Sequence, residues 1–181
     1  MLNEIKDKLF PFKFCCVRCG RCCTQMPRGV PLYYSDVENI AHMKGCAPKD
    51  FIKCFCELKL HKIINDGETM DIPVLYLKVS KKRCIFYEEN SCMIHKVKPY
   101  ICEAAPFVSL LFQDDNTVDF FKQKCKGFGH GTYYSRRRIR DIIKQEVKLE
   151  EAEWKLFSTG FYDNIVKPTR YERRENDSPA S

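Results

Sequence analysis

The sequence predicts an α+β fold, in which a small antiparallel sheet and helices surround an irregular cysteine-rich core and a long C-terminal helix follows. Three observations predict it. Five of the nine residues from 15 to 23 are cysteine. Two strand-like segments, 59–64 and 69–79, flank a turn sequence at 65–68. Apolar residues then recur at helical spacing from about residue 135 to about residue 157.

Helices are predicted before this hairpin. Ser35 as N-cap and Glu38 at the third helical position fit a capping box, which would start a helix over about 36–44. Pro48 is well suited to a first helical turn and predicts a second helix over about 48–58. Both segments carry apolar residues at helical spacing, so each is expected to bury one face.

Shorter elements are predicted in the second half of the chain. They are a strand at 83–87, one helical turn at 92–97 and a hairpin formed by 107–112 and 118–122. The long helix should open at Thr132 or Ser135. Its apolar stripe is expected to consist of Ile139, Ile142, Ile143, Val147 and Trp154.

The chain reads as one domain with two appendages. Residues 1–14 are expected to form an arm or short helix, residues 15–160 the domain, and residues 161–181 a polar, disordered tail. No apolar run is long enough for a membrane span, and the charged N-terminus lacks the apolar centre of a signal peptide. We therefore expect a cytoplasmic protein without a membrane partner.

The cysteines at 16, 19, 22 and 23 have the spacing of metal ligands. Cys16-x2-Cys19 followed by Gly20 is typical of a zinc knuckle, in which the glycine permits a sharp chain reversal. Cys22 extends the spacing to C-x2-C-x2-C, which is the three-ligand nest of bacterial ferredoxins. Cys23 is adjacent to Cys22, so the two are expected to serve different sites or to bridge two metals.

Four later cysteines complete the candidate set, because each lies beside a turn or strand end. Together the eight would supply two four-thiolate sites, and the core would then be centred on metal. The expected cofactor is a [4Fe–4S] cluster or Zn²⁺, with iron–sulfur slightly favoured. A disulfide framework and inert core thiols are the alternatives, and a reducing cytoplasm disfavours the first. The eight candidate ligands are Cys16, Cys19, Cys22, Cys23, Cys84, Cys92, Cys102 and Cys125.

The remaining four cysteines have no such pattern. Cys54 and Cys56 are two residues apart, so on a helix they would point in nearly opposite directions and could not easily share an ion. Cys46 lies in the same region, and these three are expected to be core or partly exposed thiols. Cys15 stays unassigned.

The cysteine pattern resembles the YkgJ-type CxxCxxCC family, described as a zinc- or iron-chelating domain. Cys16-x2-Cys19-x2-Cys22-Cys23 matches the family signature, and later blocks around the other four candidate ligands follow in family order. Lys98 and Glu103 stand where the family has arginines, and His95 stands where it has a tyrosine. The resemblance covers about residues 15–155 and implies metal binding without implying a reaction.

The formal charge of +7 is compatible with acidic partners, although ligating thiolates would offset part of it. Two further functions are alternatives to a metal-cluster protein that could be redox-active. One is an accessory or catalytic part of a protein-modifying or oxidoreductase enzyme, although no independent active-site motif is present. The other is a nucleic-acid adaptor with structural zinc, suggested by Arg136-Arg137-Arg138-Ile139-Arg140; a solvated helix face explains that run better. Metal ions and an unidentified protein are the expected partners.

Overall fold

The computed structural model describes residues 9–24, 29–65, 68–107, 112 and 115–170. The predicted α+β class, with small antiparallel sheets and a long C-terminal helix, is confirmed. The strands are β1 (Phe12–Phe14), β2 (Val30–Leu32), β3 (Cys56–Asn65), β4 (Glu68–Leu77), β5 (Val79–Ser80), β6 (Arg83–Cys84), β7 (Tyr87–Glu88), β8 (Ser91–Cys92), β9 (Thr132–Tyr134) and β10 (Pro168–Arg170). The α-helices are α1 (Arg21–Thr24), α2 (Tyr34–Lys44), α3 (Pro48–Phe55), α4 (Tyr100–Ala104), α5 (Asp115–Lys124) and α6 (Arg136–Ser158).

The largest sheet is built on the predicted hairpin. Strands β3 and β4 pair antiparallel along their full length, from Cys56 opposite Leu77 to Asn65 opposite Glu68. Strand β2 extends the sheet on the β4 side, and β10 adds a parallel strand beside β3. The predicted hairpin is therefore confirmed, with β3 starting three residues before the expected boundary.

Helices α2 and α3 cover this sheet and form the first core cluster. Val37, Ile40, Phe51, Ile52 and Leu75 are all completely buried there. The spacing of the four helical residues places them on the inner faces of α2 and α3, against Leu75 of β4, and burying each such side chain contributes about 1.5–3 kcal/mol. This half of the molecule therefore has the packing of an ordinary hydrophobic core.

The start of α2 differs from the predicted capping box at Ser35 and Glu38. Tyr33 is the N-cap, and its backbone N–H donates a 3.0 Å hydrogen bond to Asp36 Oδ2. The second Asp36 oxygen accepts a 2.9 Å hydrogen bond from the backbone N–H of Tyr100 at the start of α4. A tertiary contact therefore determines which residues cap the helix, and the spacing of residues in the local sequence does not reveal that contact.

A second core cluster joins the N-terminal strand to the long helix. Strand β1 pairs antiparallel with β9, and Phe12 stacks on Phe107 and Phe128 with ring centroids 4.9 and 4.5 Å apart. Leu9 and Ile139 are buried in the same cluster. Part of the expected N-terminal arm is therefore packed from Leu9 onward, whereas residues 1–8 lie outside the described residues.

The second predicted hairpin is wrong where the structure describes it. Residues 118–122 lie within helix α5 rather than in a strand. Val118 and Phe121 both contact the second core cluster, and their separation by three residues matches a helix face better than strand alternation. Most of the partner segment, 108–111, lies outside the described residues.

Two further boundaries need correction. Helix α3 ends at Phe55, so Cys56 is the first residue of β3 and not a helical residue. The chain after residue 160, expected to be a disordered tail, is packed at first: Tyr162 is 1% exposed and β10 pairs with β3. Residues 171–181 lie outside the described residues, and the division into 1–14, 15–160 and 161–181 otherwise stays a prediction.

Helix α6 confirms the predicted long helix. Ser135 is its N-cap, and the Ser135 hydroxyl accepts a 3.3 Å hydrogen bond from the Arg138 backbone N–H. The apolar stripe is only partly right, because Trp154 is 49% exposed whereas Glu146 and Glu153 are buried. Glu153 accepts hydrogen bonds from the Tyr162 hydroxyl at 2.6 Å and from the Tyr34 backbone N–H at 2.8 Å. Across the described segments, every helix is too short or too polar to cross a membrane.

Candidate metal centre

The candidate ligands come from separate short elements of the chain. All twelve cysteines belong to the described residues and carry free thiols. Cys16 and Cys19 lie in the loop before α1, Cys22 and Cys23 on α1, Cys84 at the end of β6, Cys92 at the end of β8, Cys102 on α4, and Cys125 directly after α5. We call residues 15–24 the thiol loop and residues 79–92, which form β5 to β8, the thiol hairpins.

One end of the thiol loop is fixed by the glycine-rich segment after Cys125. The Cys15 backbone N–H donates to the Gly127 carbonyl at 3.2 Å, and the Gly129 N–H donates to the Lys13 carbonyl at 2.8 Å. A Cβ atom on Gly127 would collide with the Cys15 carbonyl oxygen, so only glycine permits this approach. The glycine-rich segment thereby brings Cys125 to the thiol loop.

The other end of the thiol loop contacts the thiol hairpins. Helix α1 lies against β6, which ends at Cys84. Gly20, just before α1, lies against the Tyr87 side chain. Tyr87 is the residue directly opposite Cys92 in the β7–β8 pair. The first cysteine group is therefore held next to Cys84 and Cys92, although these are distant in sequence.

Electrostatic coupling shows which thiols are neighbours. Burial raises the pKa of Cys102, and the nearby Cys22, Cys84 and Cys92 thiols raise it further. Burial also raises the pKa of Cys84, and Cys92 and Cys22 add to that shift. Four elements, α1, β6, β8 and α4, thus place their cysteines within electrostatic range of one another.

Cys125 belongs to the same neighbourhood. Burial raises its pKa, the backbone N–H groups of Gly127 and Phe128 lower it, and Cys19 and Cys22 raise it. The Cys19 thiol is therefore coupled to Cys125, and through Cys22 to the other thiols. Cys16 lies exposed in the same loop.

Cys22 and Cys23 form a hydrogen-bonded pair. The Cys23 thiol donates to the Cys22 sulfur, which lowers the pKa of Cys22 to about 6 and raises that of Cys23. A nearby cation, Lys98, lowers the pKa of Cys22 further. The pair therefore loses its first proton more readily than an ordinary thiol, and the thiolate is the form that binds metal.

The thiols are neighbours without being arranged as ligands. Among the described residues, no three His, Cys, Asp or Glu side chains are placed so that they could hold a metal ion. Neutral thiols do not attract one another electrostatically, whereas a metal cation attracts thiolates. A rotation about χ1 changes the direction in which each sulfur points. The donor set fits zinc or iron–sulfur by its chemistry, and the assignment of the eight ligands stays a prediction.

The other cysteines lie elsewhere or in other roles. Cys56 is 2% exposed in the first core cluster, and burial raises its pKa to about 12. Cys46 packs against the same cluster, and Cys54 is exposed on α3. Their expected role as core or exposed thiols agrees with these positions.

Sequence reasoning missed two side chains next to the thiols. Lys98 affects both Cys22 and Cys102 electrostatically, although the sequence marked it only as a replacement for an arginine. Tyr87 carried no signal at all, since its partner Gly20 is distant in the chain. The described ring contact of Arg138, one of the arginines of the basic run, is with Tyr134, at 4.3 Å.

Comparison with known proteins defines the class. Residues 15–127 match the model of the CxxCxxCC family, whose description is "Putative zinc- or iron-chelating domain". The match covers more than half of the chain and includes every candidate ligand. The chain therefore belongs to the CxxCxxCC family, as the resemblance predicted. No curated protein and no solved structure matches it.

Proposed function

We propose that this chain is a cytoplasmic metal–thiolate protein, in which up to eight cysteines hold an iron–sulfur cluster, zinc or both. The observation that carries the proposal is the clustering of thiols from separate elements: α1 and β6 are in contact, and Cys22 is within electrostatic range of Cys84, Cys102 and Cys125. Clustering several thiols has no packing advantage over apolar residues, whereas metal coordination requires it. Membership of a zinc- or iron-chelating family supports the same conclusion.

The metal would also explain an unusual balance of charge. Thiolates are costly to bury unless a cation compensates them. Lys98 lies close enough to Cys102 to lower the pKa of that thiol. One lysine cannot balance several thiolates, so bound metal is the natural counter-charge. When bound, iron–sulfur would supply one-electron chemistry and zinc would supply folding stability alone.

Anaerobic purification followed by metal and acid-labile sulfide analysis tests this proposal. Iron with sulfide in comparable amounts, together with a brown colour, would identify an iron–sulfur protein and allow a redox role. Colourless protein with stoichiometric zinc would leave only structural or chelating roles. Protein that contains neither metal, and takes up neither during anaerobic reconstitution, would refute the proposal.

A cavity beside the thiols favours a second candidate, an enzyme or an enzyme accessory. It measures about 420 Å³, and its lining is mostly polar. One lining residue, Lys98, also acts on Cys22 and Cys102, so the cavity borders the candidate metal centre. The lining includes Ser35, Asp36, Asn39, Lys98, Tyr100 and Glu103.

A thermal-shift screen of small polar metabolites would test that second candidate. A compound that stabilises the metal-loaded wild type, but not an Asn39→Leu variant, would place a substrate in this cavity. Asn65→Leu, at the end of strand β3 in the large sheet, is the control. If no compound distinguishes Asn39→Leu from the wild type, the metal–thiolate function stands without a substrate site.

A further inference from the structure

Two separate parts of the chain supply six of the eight candidate ligands, and these parts must be held together for one site to form. The thiol loop carries Cys16, Cys19, Cys22 and Cys23, and the thiol hairpins carry Cys84 and Cys92. The hairpin strands contain two residues each. Such short ladders supply little stability of their own. A side-chain contact between the two parts would therefore have a large effect on the site.

Tyr87 makes that contact. It is 7% exposed and lies directly opposite Cys92 across the β7–β8 pair. The Arg83 guanidinium lies over its ring, 5.1 Å from the centroid. The hydroxyl and Cζ of Tyr87 occupy the position where a Cβ atom of residue 20 would stand, so a glycine is required there.

Gly20 is the point in the thiol loop where such a contact matters most. Its φ of +72° is left-handed, which suits glycine and reverses the chain between Cys19 and Cys22. Its carbonyl accepts hydrogen bonds from the backbone N–H groups of Cys23 at 2.9 Å and Thr24 at 3.0 Å. Any shift of Gly20 therefore moves α1, which carries both Cys22 and Cys23.

We propose that Tyr87 is a positioning residue that joins the two parts of the metal site, by seating Gly20 of the thiol loop against the hairpin that carries Cys92. The inference rests on the proposed function, since it concerns how the same thiols are held. Tyr87 binds no metal itself. It acts by fixing the distance between two ligand groups, as residues around metal ligands commonly do, and loss of such residues costs about 10–100-fold in metal affinity.

Cobalt binding to the full-length, metal-depleted protein tests the proposal. Co²⁺ reports thiolate ligation through its visible spectrum, and chelator competition gives its affinity. Tyr87→Leu should weaken Co²⁺ binding by at least about tenfold and reduce the thiolate-to-cobalt absorption. The matched control is Tyr76→Leu, which removes an equally buried tyrosine, also 7% exposed, from strand β4 of the large sheet. That control should keep the wild-type affinity and spectrum.

A glycine pair tests the other side of the contact without removing a buried ring. Gly20 and Gly45 have similar left-handed φ angles, +72° and +67°, but a Cβ on Gly45 meets nothing within 4 Å. Gly20→Ala should therefore weaken Co²⁺ binding strongly, whereas Gly45→Ala should not. In a Tyr87→Leu background, Gly20→Ala should cause a smaller further loss, because both changes break one contact.

The outcomes separate the two proposals. If the wild type binds neither Co²⁺ nor zinc nor iron, the proposed function fails. If the wild type binds Co²⁺ while Tyr87→Leu binds it as Tyr76→Leu does, or Gly20→Ala binds it as Gly45→Ala does, only the positioning role of Tyr87 is overturned. The glycine pair decides the matter even if Tyr87→Leu does not fold.

Discussion

The two halves of the molecule are stabilised in different ways. The sheet half consists of β3 and β4 with ten residues each, covered by helices that bury Val37, Ile40 and Phe51 completely. The thiol half consists of two-residue strands linked by turns with left-handed residues such as Lys82 and Asn90. Phe86 of this half belongs to the first core cluster, and Cys84 and Cys92 pack against that cluster from outside. We therefore expect the first half to fold by burying apolar surface, and the second to depend more strongly on the proposed metal.

The largest effect should follow loss of a metal ligand. Cys19→Ser and Cys22→Ser should lose metal and destabilise the thiol half, because binding free energy of structural zinc, about 10–16 kcal/mol in small domains, contributes to folding. Metal-to-protein ratios and thermal unfolding would measure both effects. Cys54→Ser, at an exposed position on α3, is the control and should change neither.

Equal metal loss in the Cys54→Ser variant would show that the ligands have been divided wrongly. Cys56→Ser sharpens the comparison further. It places a hydroxyl at a site that is 2% exposed in the apolar cluster. It should cost about 1–3 kcal/mol of stability without reducing the metal content.

Truncation of a core side chain in the sheet half should lower the stability of the protein without lowering its metal content. Ile40→Ala or Leu75→Ala removes a completely buried side chain and should lower the free energy of unfolding by about 2–5 kcal/mol. The metal-to-protein ratio of the folded fraction should stay unchanged. Loss of metal in proportion to stability would mean that the two halves are not separate in their energetics.

The pH dependence of metal affinity should follow the raised thiol pKa values. Burial raises the pKa of Cys84, Cys102 and Cys125, so these thiols hold protons at neutral pH in metal-free protein. Metal binds thiolates and must release those protons, so affinity should fall as the pH drops from about 8 to about 6. Chelator competition across this range would measure the slope, and a flat profile would exclude protonated thiols as ligands.

The same shifts predict the stability of the metal-free protein. A thiol with a raised pKa in the folded state ionises first in the unfolded chain, whose ordinary value is 9.0. The contribution of these thiols to the free energy of unfolding is therefore complete below that pH and decreases as the pH rises above it. Denaturant titration should therefore show falling stability above pH 9.0 in metal-free protein, with little change in metal-loaded protein.

The smallest effect is expected at Lys98. Replacing it by glutamine removes a positive charge near Cys22 and Cys102 and should weaken metal binding a few-fold, or roughly 0.5–1 kcal/mol. Lys144→Gln, an exposed lysine on α6, is the matched control for the loss of one charge. Identical metal affinities for the two variants would show that Lys98 does not contribute to metal binding.

Local sequence patterns predicted the helices and strands whose formation depends on interactions between residues that are close in the sequence. The β3–β4 hairpin followed from strand alternation around Asn65-Asp66-Gly67, and α6 followed from its apolar spacing and the Ser135 cap. The cap of α2 was missed because Asp36 is positioned by Tyr33 and by Tyr100 of α4 together. Helix α5 was missed because the segment 118–122 is too short for its periodicity to be read with the neighbouring turns of the helix.

The candidate site likewise has some features that local sequence predicts and others that it does not. Cysteine spacing predicted the first four candidate ligands, since coordination chemistry restricts spacing within a loop, and positions beside turns or strand ends predicted the other four. It could not identify Tyr87 or Lys98, because their contacts with the thiol loop join segments that are distant in sequence. Such contacts leave no local pattern, so only the folded chain reveals them.

Hydrogen exchange on metal-loaded and metal-stripped protein tests the division into two halves most directly. Backbone amides of the thiol loop and thiol hairpins should lose protection when metal is removed, because binding free energy holds them folded. Amides of β3 and β4 should stay protected, since their stability comes from the apolar cluster. Unchanged protection in the thiol half, or equal loss in both halves, would contradict the account.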